Sequence, residues 1–307
     1  MSARYPSTVM VSVVCPWDDQ EQLDEGAFRH EIDHALNAGF RHVYVFGTAG
    51  EGYGVDTARF RRVISVFGDQ MSRTPGARAM VGVIGLSTAN VVERIGIAHD
   101  MGFREFQISF PIWQTLTDPE VLTFFKDVCL SFPDSLFMHY NTGRVGRIIN
   151  GRHYRPVLDA VPNLVATKTM AGDLATVASV VRDAPDLMHF LGEQSVTHGA
   201  MFGEVALLGT FGALAPKKSW AVLRAANEGR YRDAAEIGSW FERLNREVFD
   251  TLMVDRRIDG AYDKLIEKLS PGQEAFPLRM LSPYRTLTED EFRQAQRTLR
   301  EKFPDCE

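Results

Sequence analysis

Two kinds of segment alternate along the chain. The first is short and almost continuously apolar, often β-branched: positions 8–15, 42–47, 79–85, 103–110, 135–140, 163–168, 187–192 and 205–211. A strand covered on both faces of a parallel sheet reads this way. The second kind is longer, with apolar residues every three or four positions, as over 24–38, 56–71, 87–101 and 118–132. That spacing lays a stripe along one side of a helix. Asp24, Asp56, Ser87 or Thr88, Asp118 and Asp173 stand where a helix needs a side-chain acceptor at its start. Gly39 and Gly102 stand where the first and third helices must stop.

Eight strand-like runs with helical segments between them predict a parallel α/β fold. The count favours a closed (β/α)8 TIM barrel over an open doubly wound sheet, although periodicity alone does not show closure. After Gly229 the strand-like runs stop. Positions 231–252, 261–269 and 288–303 read as helices, and the loop 270–285 between the last two holds three prolines. The expected organisation is a barrel over 1–229 that carries the active site, with a helical region over 230–307 packed on it.

Composition acts mainly by exclusion. Hydrophobic residues make up 45% and charged residues 24%, an ordinary globular balance. Net charge is −6, with no clustered basic stripe, which argues against a nucleic-acid partner and gives no reason to expect a membrane surface. The three cysteines, Cys15, Cys129 and Cys306, form no CxxC pair and no disulfide framework, so a cytoplasmic setting is expected. The first 14 residues lack the pattern of a secretory signal, and no apolar window approaches roughly 18 residues.

In a barrel, chemistry sits at the C-terminal ends of the strands. Lys168 closes the run 163–168. Burial there would lower its pKa from the usual value of about 10.4. A neutral amine can then attack a ketone carbon to form an imine; the plainer reading is a lysine that snorkels to solvent. Gly47, Thr48, Ala49, Gly50 and Glu51 form a turn after the second strand. Such a turn either aims backbone N–H groups at a small anion or simply links strand to helix. Gly50, Gly52 and Gly54 lack the spacing of a dinucleotide fingerprint. Tyr140 closes the fifth run, where a phenol can relay protons. Arg144, four residues on, can clamp a carboxylate. A packed tyrosine and a solvated arginine are the plainer readings.

A rival motif lies earlier. His30, Glu31 and His34 match the HExxH pattern of zinc hydrolases. They sit on an amphipathic helix whose apolar face is Phe28, Ile32 and Leu36, without an obvious third ligand. In a barrel this would be an outer helix, away from the strand C-termini.

Taken together, the chain resembles the dihydrodipicolinate synthase / N-acetylneuraminate lyase family over nearly its whole length. Gly47 to Glu51 is similar to the family's GTTGE or GTSGE. Tyr140, Asn141, Thr142, Gly143, Arg144, Val145 and Gly146 are similar to its YN-x-P-x-R-x-G. Lys168, Thr169, Met170, Ala171, Gly172 and Asp173 are similar to its K-x-x-S/T-G-D. The resemblance implies a barrel with a C-terminal helical region, assembled as a homo-oligomer, a tetramer or a dimer. It implies Schiff-base chemistry on pyruvate or another 2-oxo acid, with an aldehyde as second substrate and no metal or organic cofactor. Lys168 would form the imine. The carboxylate would rest on the amides of Thr48 and Ala49. Tyr140 would shuttle protons with its hydroxyl held by Thr48, and Arg144 would meet the second substrate. Gly192 and Leu208 align with positions lining the pyruvate pocket.

The chain departs from the family at three places. Ala49 replaces a hydroxylated residue. The loop after Tyr140 is one residue shorter and has lost its proline. Trp113 stands near a tyrosine that reaches a neighbouring subunit's site, and an indole cannot titrate like a phenol. Trp113 offers an apolar wall to a substrate instead. Within the class, a dihydrodipicolinate synthase-like lyase or synthase, a hydratase-aldolase and a sugar-acid aldolase or dehydratase all fit. A zinc hydrolase built on His30, Glu31 and His34 and a non-catalytic barrel that senses a 2-oxo acid are the alternatives of other classes.

Overall fold

The computed structural model describes residues 4–170, 173–250, 252 and 257–306. Ala171 and Gly172 of the motif that follows Lys168 lie outside the described residues. Eight strands run in chain order: β1 (Met10–Ser12), β2 (His42–Val45), β3 (Arg78–Val83), β4 (Glu105–Ile108), β5 (Leu136–Thr142), β6 (Leu164–Met170), β7 (Met188–Leu191) and β8 (Ala206–Leu207). Each pairs in parallel with the next. A parallel bridge between Val9 and Leu207 brings the last strand back to the first. The fold is therefore the expected (β/α)8 barrel, and the apolar runs at 8–15 and 205–211 contribute short strands flanked by extended backbone.

Helices α1 (Glu25–Asn37), α2 (Thr57–Ser72), α3 (Thr88–Asp100), α4 (Asp118–Cys129), α5 (Gly151–Ala160), α6 (Leu174–Asp183), α7 (Val196–Ala200) and α8 (Pro216–Asn227) alternate with the strands. Asp24, Asp56, Ser87 and Asp173 each cap a helix by accepting from a backbone amide in its first turn. The fourth cap is Thr117 rather than Asp118. Thr117 has the extended backbone a cap requires, and its amide donates to Glu120 Oε2 at 2.7 Å. Asp118 instead begins the helix, where its charge faces the positive end of the dipole.

Two apolar layers follow from the alternation of strand side chains. Met10, Tyr44, Met80, Met138, Ala166, Met188, Phe190, Ala206 and Leu208 fill the barrel interior. The intervening strand residues pack outward against the helices. Tyr5 joins the interior cluster, its hydroxyl donating to Glu105 at 2.7 Å beneath the Arg78 guanidinium. Residues two positions beyond Met138 and Ala166 point inward as well. Those residues are Tyr140 and Lys168.

Beyond the barrel, α9 (Tyr231–Leu244) runs into a π-helical turn at Asn245–Phe249, followed by α10 (Asp259–Leu269) and α11 (Glu289–Lys302). α10 lies over the mouth of the barrel, where Asp259, Tyr262, Asp263 and Ile266 line the same cavity as Lys168. A fully buried ammonium fixes it there. Lys264 donates to Glu51 Oε1 at 2.7 Å, to the Cys15 carbonyl at 2.8 Å and to the Arg279 carbonyl. Glu51 also accepts from the Trp17 indole at 2.7 Å and from the Leu281 amide at 2.8 Å. Among the described residues no helix is long and apolar enough to cross a membrane.

Candidate active site

Register places the two key side chains side by side. Tyr140 on β5 pairs directly with Lys168 on β6. Since both face inward, the Lys168 ammonium nitrogen lies 5.3 Å from the centre of the Tyr140 ring. Tyr140 is buried and Lys168 half-buried, at the floor of a cavity of about 190 Å³. Ser12, Tyr44, Thr48, Ala49 and Gln107 line the same cavity. The Tyr44 hydroxyl donates to Gln107 Oε1. Burial and the neighbouring Tyr140 hold the Tyr44 phenol well above its usual pKa, so it remains a neutral donor.

The turn after β2 is compact because three glycines let it fold on itself. A Cβ at Gly47 would lie 2.7 Å from the Tyr44 ring, and one at Gly52 would lie 2.5 Å from the Phe46 carbonyl. Phe46 and Glu51 both adopt positive φ, 70° and 55°. Inside this turn the Gly52 amide donates to Gly47 and the Glu51 amide to Thr48. The amides of Thr48 and Ala49 have no acceptor among the described residues, and both residues line the cavity. Two half-buried N–H groups without an acceptor, on the cavity that holds Lys168, suit a small carboxylate. The glutamate of this turn serves the cover instead, since the Glu51 carboxylate is fully buried against Lys264 of α10.

A second lobe opens on the other side of Lys168, lined by Gly192, Glu193, Leu208, Gly209 and Thr210 among others. A Cβ at Gly192 would meet open space, so this position keeps the lobe wide. Leu208 is buried and forms part of its wall. Glu193 is buried and accepts from the amides of Thr210 and Phe211, each at 2.8 Å. Burial raises its carboxyl pKa, and these two amides oppose the rise. The glutamate thereby shapes the loop after β8.

Arg144 lies in a 3-10 turn (Gly143–Val145) after β5. Asn141 pins this loop, since its side chain donates to the Ile149 carbonyl at 2.7 Å and accepts from the Ile149 amide at 2.9 Å. The Arg144 guanidinium is paired with Asp259 at the start of α10. Asp263, one turn further along, faces the cavity; burial and the charge of Asp259 raise its pKa to about 7, against the pull of Lys168 and Arg144.

Trp113 and the zinc-like motif lie elsewhere. Trp113, in the loop between β4 and α4, is 87% exposed and lines neither lobe. His30 is bonded through Nδ1 to Gln273 Oε1 at 3.0 Å, and His34 Nδ1 lies 3.6 Å from Glu267. Glu31 accepts from the Val14 amide, and burial beside Glu267 drives its carboxyl pKa well up. The motif packs α1 against the C-terminal region. Among the described residues no group of three or more histidine, cysteine, aspartate or glutamate side chains is arranged to hold a metal ion.

Sequence reading missed Tyr44, Gln107, Asp259 and Asp263. Gln107 carries a signal, being a polar residue that alternates with Glu105 and Ser109 between the apolar residues Phe106 and Ile108 of a strand. Tyr44 could be placed by counting two from His42. Asp259 and Asp263 carry none, because only tertiary packing brings α10 over the barrel.

Comparison with known proteins agrees with this architecture. The model of the Dihydrodipicolinate synthetase family matches residues 5–301. A 4-hydroxy-tetrahydrodipicolinate synthase from Syntrophotalea carbinolica is 26% identical over 246 residues, covering 78% of this chain and 82% of that one. An N-acetylneuraminate lyase from Escherichia coli is 21% identical over 230 residues, covering 75% and 77%. Among solved structures, YagE, a prophage protein of the dihydrodipicolinic acid synthase family from E. coli K12 in complex with pyruvate, superposes with a TM-score of 0.84 at 18% identity, covering 96% of this chain and 98% of that one. From the barrel, its paired tyrosine and lysine and the match over residues 5–301, it follows that this chain belongs to the Dihydrodipicolinate synthetase family and is an enzyme of the aldolase-type lyase class.

Proposed function

We propose that this enzyme makes or breaks a carbon–carbon bond through an imine between Lys168 and pyruvate or a closely related 2-oxo acid. The observation that carries the reading is the Lys168 amine, 5.3 Å from the Tyr140 ring in a cavity that also presents the unpaired amides of Thr48 and Ala49. The free amine attacks the keto carbon, and the resulting carbinolamine loses water to give the imine. The carboxylate rests on the two amides, which orients the keto carbon toward the lysine. Loss of a methyl proton converts the imine to an enamine. The enamine carbon adds to an aldehyde, and the new alkoxide takes up a proton. Water then hydrolyses the product imine and frees Lys168. Cleavage is the same sequence reversed.

Tyr140 is the proton carrier at the imine. Thr48 shares its cavity, and the Tyr44–Gln107 pair lies in the barrel interior beside Tyr140. Gly192 and Leu208 border the second lobe and leave room for the substrate beyond the keto carbon. The π-helical turn and α10 act as the cover that completes the cavity. No step requires a metal or an organic cofactor. Trp113 and Ile112, both exposed, are suited to a contact between subunits of a homo-oligomer. The buried free cysteines Cys15 and Cys129 fit a cytoplasmic setting.

Borohydride reduction in the presence of pyruvate tests this reading. It should attach a reduced pyruvyl group at Lys168, located by peptide mass analysis. Absence of an adduct there with pyruvate and a panel of other 2-oxo acids would sink it.

A further inference from the structure

Arg144 is not free to receive a substrate. Its guanidinium is already neutralised by Asp259, the first residue of α10. Asp263 lies four positions later, hence on the same face of the helix. Unlike Asp259, it has no hydrogen bond or ion pair among the described residues, and it lines the cavity with Lys168 and Tyr140. α10 reaches this position because Gly260 leaves room for the turn after β2. A Cβ at Gly260 would be 3.1 Å from the Thr48 carbonyl and 3.4 Å from the Tyr53 hydroxyl. The carboxyl groups that α10 brings to the Lys168 cavity are thus Asp259, paired with Arg144, Glu267, which lies near His34, and Asp263.

We infer that Asp259 and Asp263 set the specificity for the second substrate, which is an uncharged aldehyde bearing hydroxyl groups rather than one bearing a carboxylate. This rests on the imine chemistry proposed above. A carboxylate-bearing aldehyde has to displace Asp259 from Arg144 and then lie near a second carboxyl. Placing a substrate carboxylate between two carboxyl groups disfavours binding. A hydroxyl donates to Asp263 and satisfies an acceptor that the protein leaves open. Asp259 meanwhile keeps Arg144 in place as a neutral pair at the rim.

The experiment uses the whole enzyme with saturating pyruvate and three aldehydes: glyceraldehyde, succinic semialdehyde and butyraldehyde. The wild-type protein should show kcat/KM for glyceraldehyde at least about tenfold above that for succinic semialdehyde, the size of one hydrogen bond between a substrate hydroxyl and the Asp263 carboxyl. Butyraldehyde, neutral but without hydroxyls, should fall below glyceraldehyde. Asp263→Ala should lower glyceraldehyde turnover about tenfold and leave succinic semialdehyde equal or better. Asp263→Asn, which keeps an acceptor oxygen, should recover part of the loss. Asp259→Asn should raise kcat/KM for succinic semialdehyde by up to about fivefold, the range of an exposed ion pair. Opposite responses of the two aldehydes distinguish specificity from a general structural defect. A wild-type preference for succinic semialdehyde, consumption of none of the three, or an equal loss on all aldehydes in Asp263→Ala would overturn the inference. If pyruvate is not trapped at Lys168, the underlying reading fails instead, so the two failures are told apart.

Discussion

Replacing Lys264 by methionine isolates the interaction that holds α10 over the barrel. Methionine keeps most of the apolar stem and removes the ammonium. The structure gives that ammonium three acceptors, namely Glu51 at 2.7 Å, the Cys15 carbonyl at 2.8 Å and the Arg279 carbonyl. Both ionised side chains are 0% exposed. Burial lowers the lysine pKa, and the charge of Glu51 opposes that shift. Removing one member of such a pair leaves a buried carboxylate with only the Trp17 and Leu281 N–H groups as donors. The expected cost is about 3–5 kcal/mol. Lys264→Met combined with Glu51→Gln removes both charges and should be less destabilised than the sum of the two single variants by about 2 kcal/mol. Urea unfolding of the four proteins measures this coupling. Amide exchange over 259–269 should accelerate in Lys264→Met more than exchange in β5 and β6. A loss below about 1 kcal/mol, or strict additivity, would refute the claim that this ion pair anchors the cover.

Other expectations follow from the same geometry. Tyr140→Phe keeps the ring and removes the hydroxyl; kcat should fall about 10²–10⁴-fold while the pyruvate adduct still forms, as rapid-quench trapping will show. Lys168→Ala should give no adduct under any condition followed by mass analysis. Gly82→Ala places a Cβ 2.2 Å from the Phe46 carbonyl and 2.8 Å from the Tyr44 hydroxyl, so it should cost at least about 1–3 kcal/mol by thermal melting; an unchanged melting temperature would contradict the tight turn. Acid should destabilise the fold through His139 and His189, whose burial holds their pKa values down at about 3 and about 4 against an ordinary 6.5. The unfolded chain gains protons on both below about pH 6.5 and the folded chain does not, so their contribution is full above that pH and is lost on acidification. At about pH 5 the loss is about 2 kcal/mol for each, checked by urea unfolding of wild type and of a His139→Phe variant between about pH 5 and 8.

Local pattern determined a great deal about this protein. Each apolar run marks a strand and each amphipathic stretch marks a helix, because burial of one face or both is written into residues that are neighbours in the chain. The caps at Asp24, Asp56, Ser87 and Asp173 were legible for the same reason, whereas Asp118 yielded to Thr117 because two adjacent polar residues compete for one cap. Lys168, Tyr140 and the turn 47–51 were legible once strand ends were recognised, since a barrel places those ends on one face. Only the tertiary structure decided that Tyr140 and Lys168 are paired in register, that the Thr48 and Ala49 amides lie unsatisfied on the cavity, and that Glu51 serves the cover rather than the substrate. It also decided that Asp259 occupies Arg144 and that Asp263 faces the lysine, two residues far along the chain from everything else in the cavity. No periodicity encodes such a meeting. It depends on closure of the barrel and on a buried ion pair between Glu51 and Lys264, whose energy is realised only when both ends of the chain are in place.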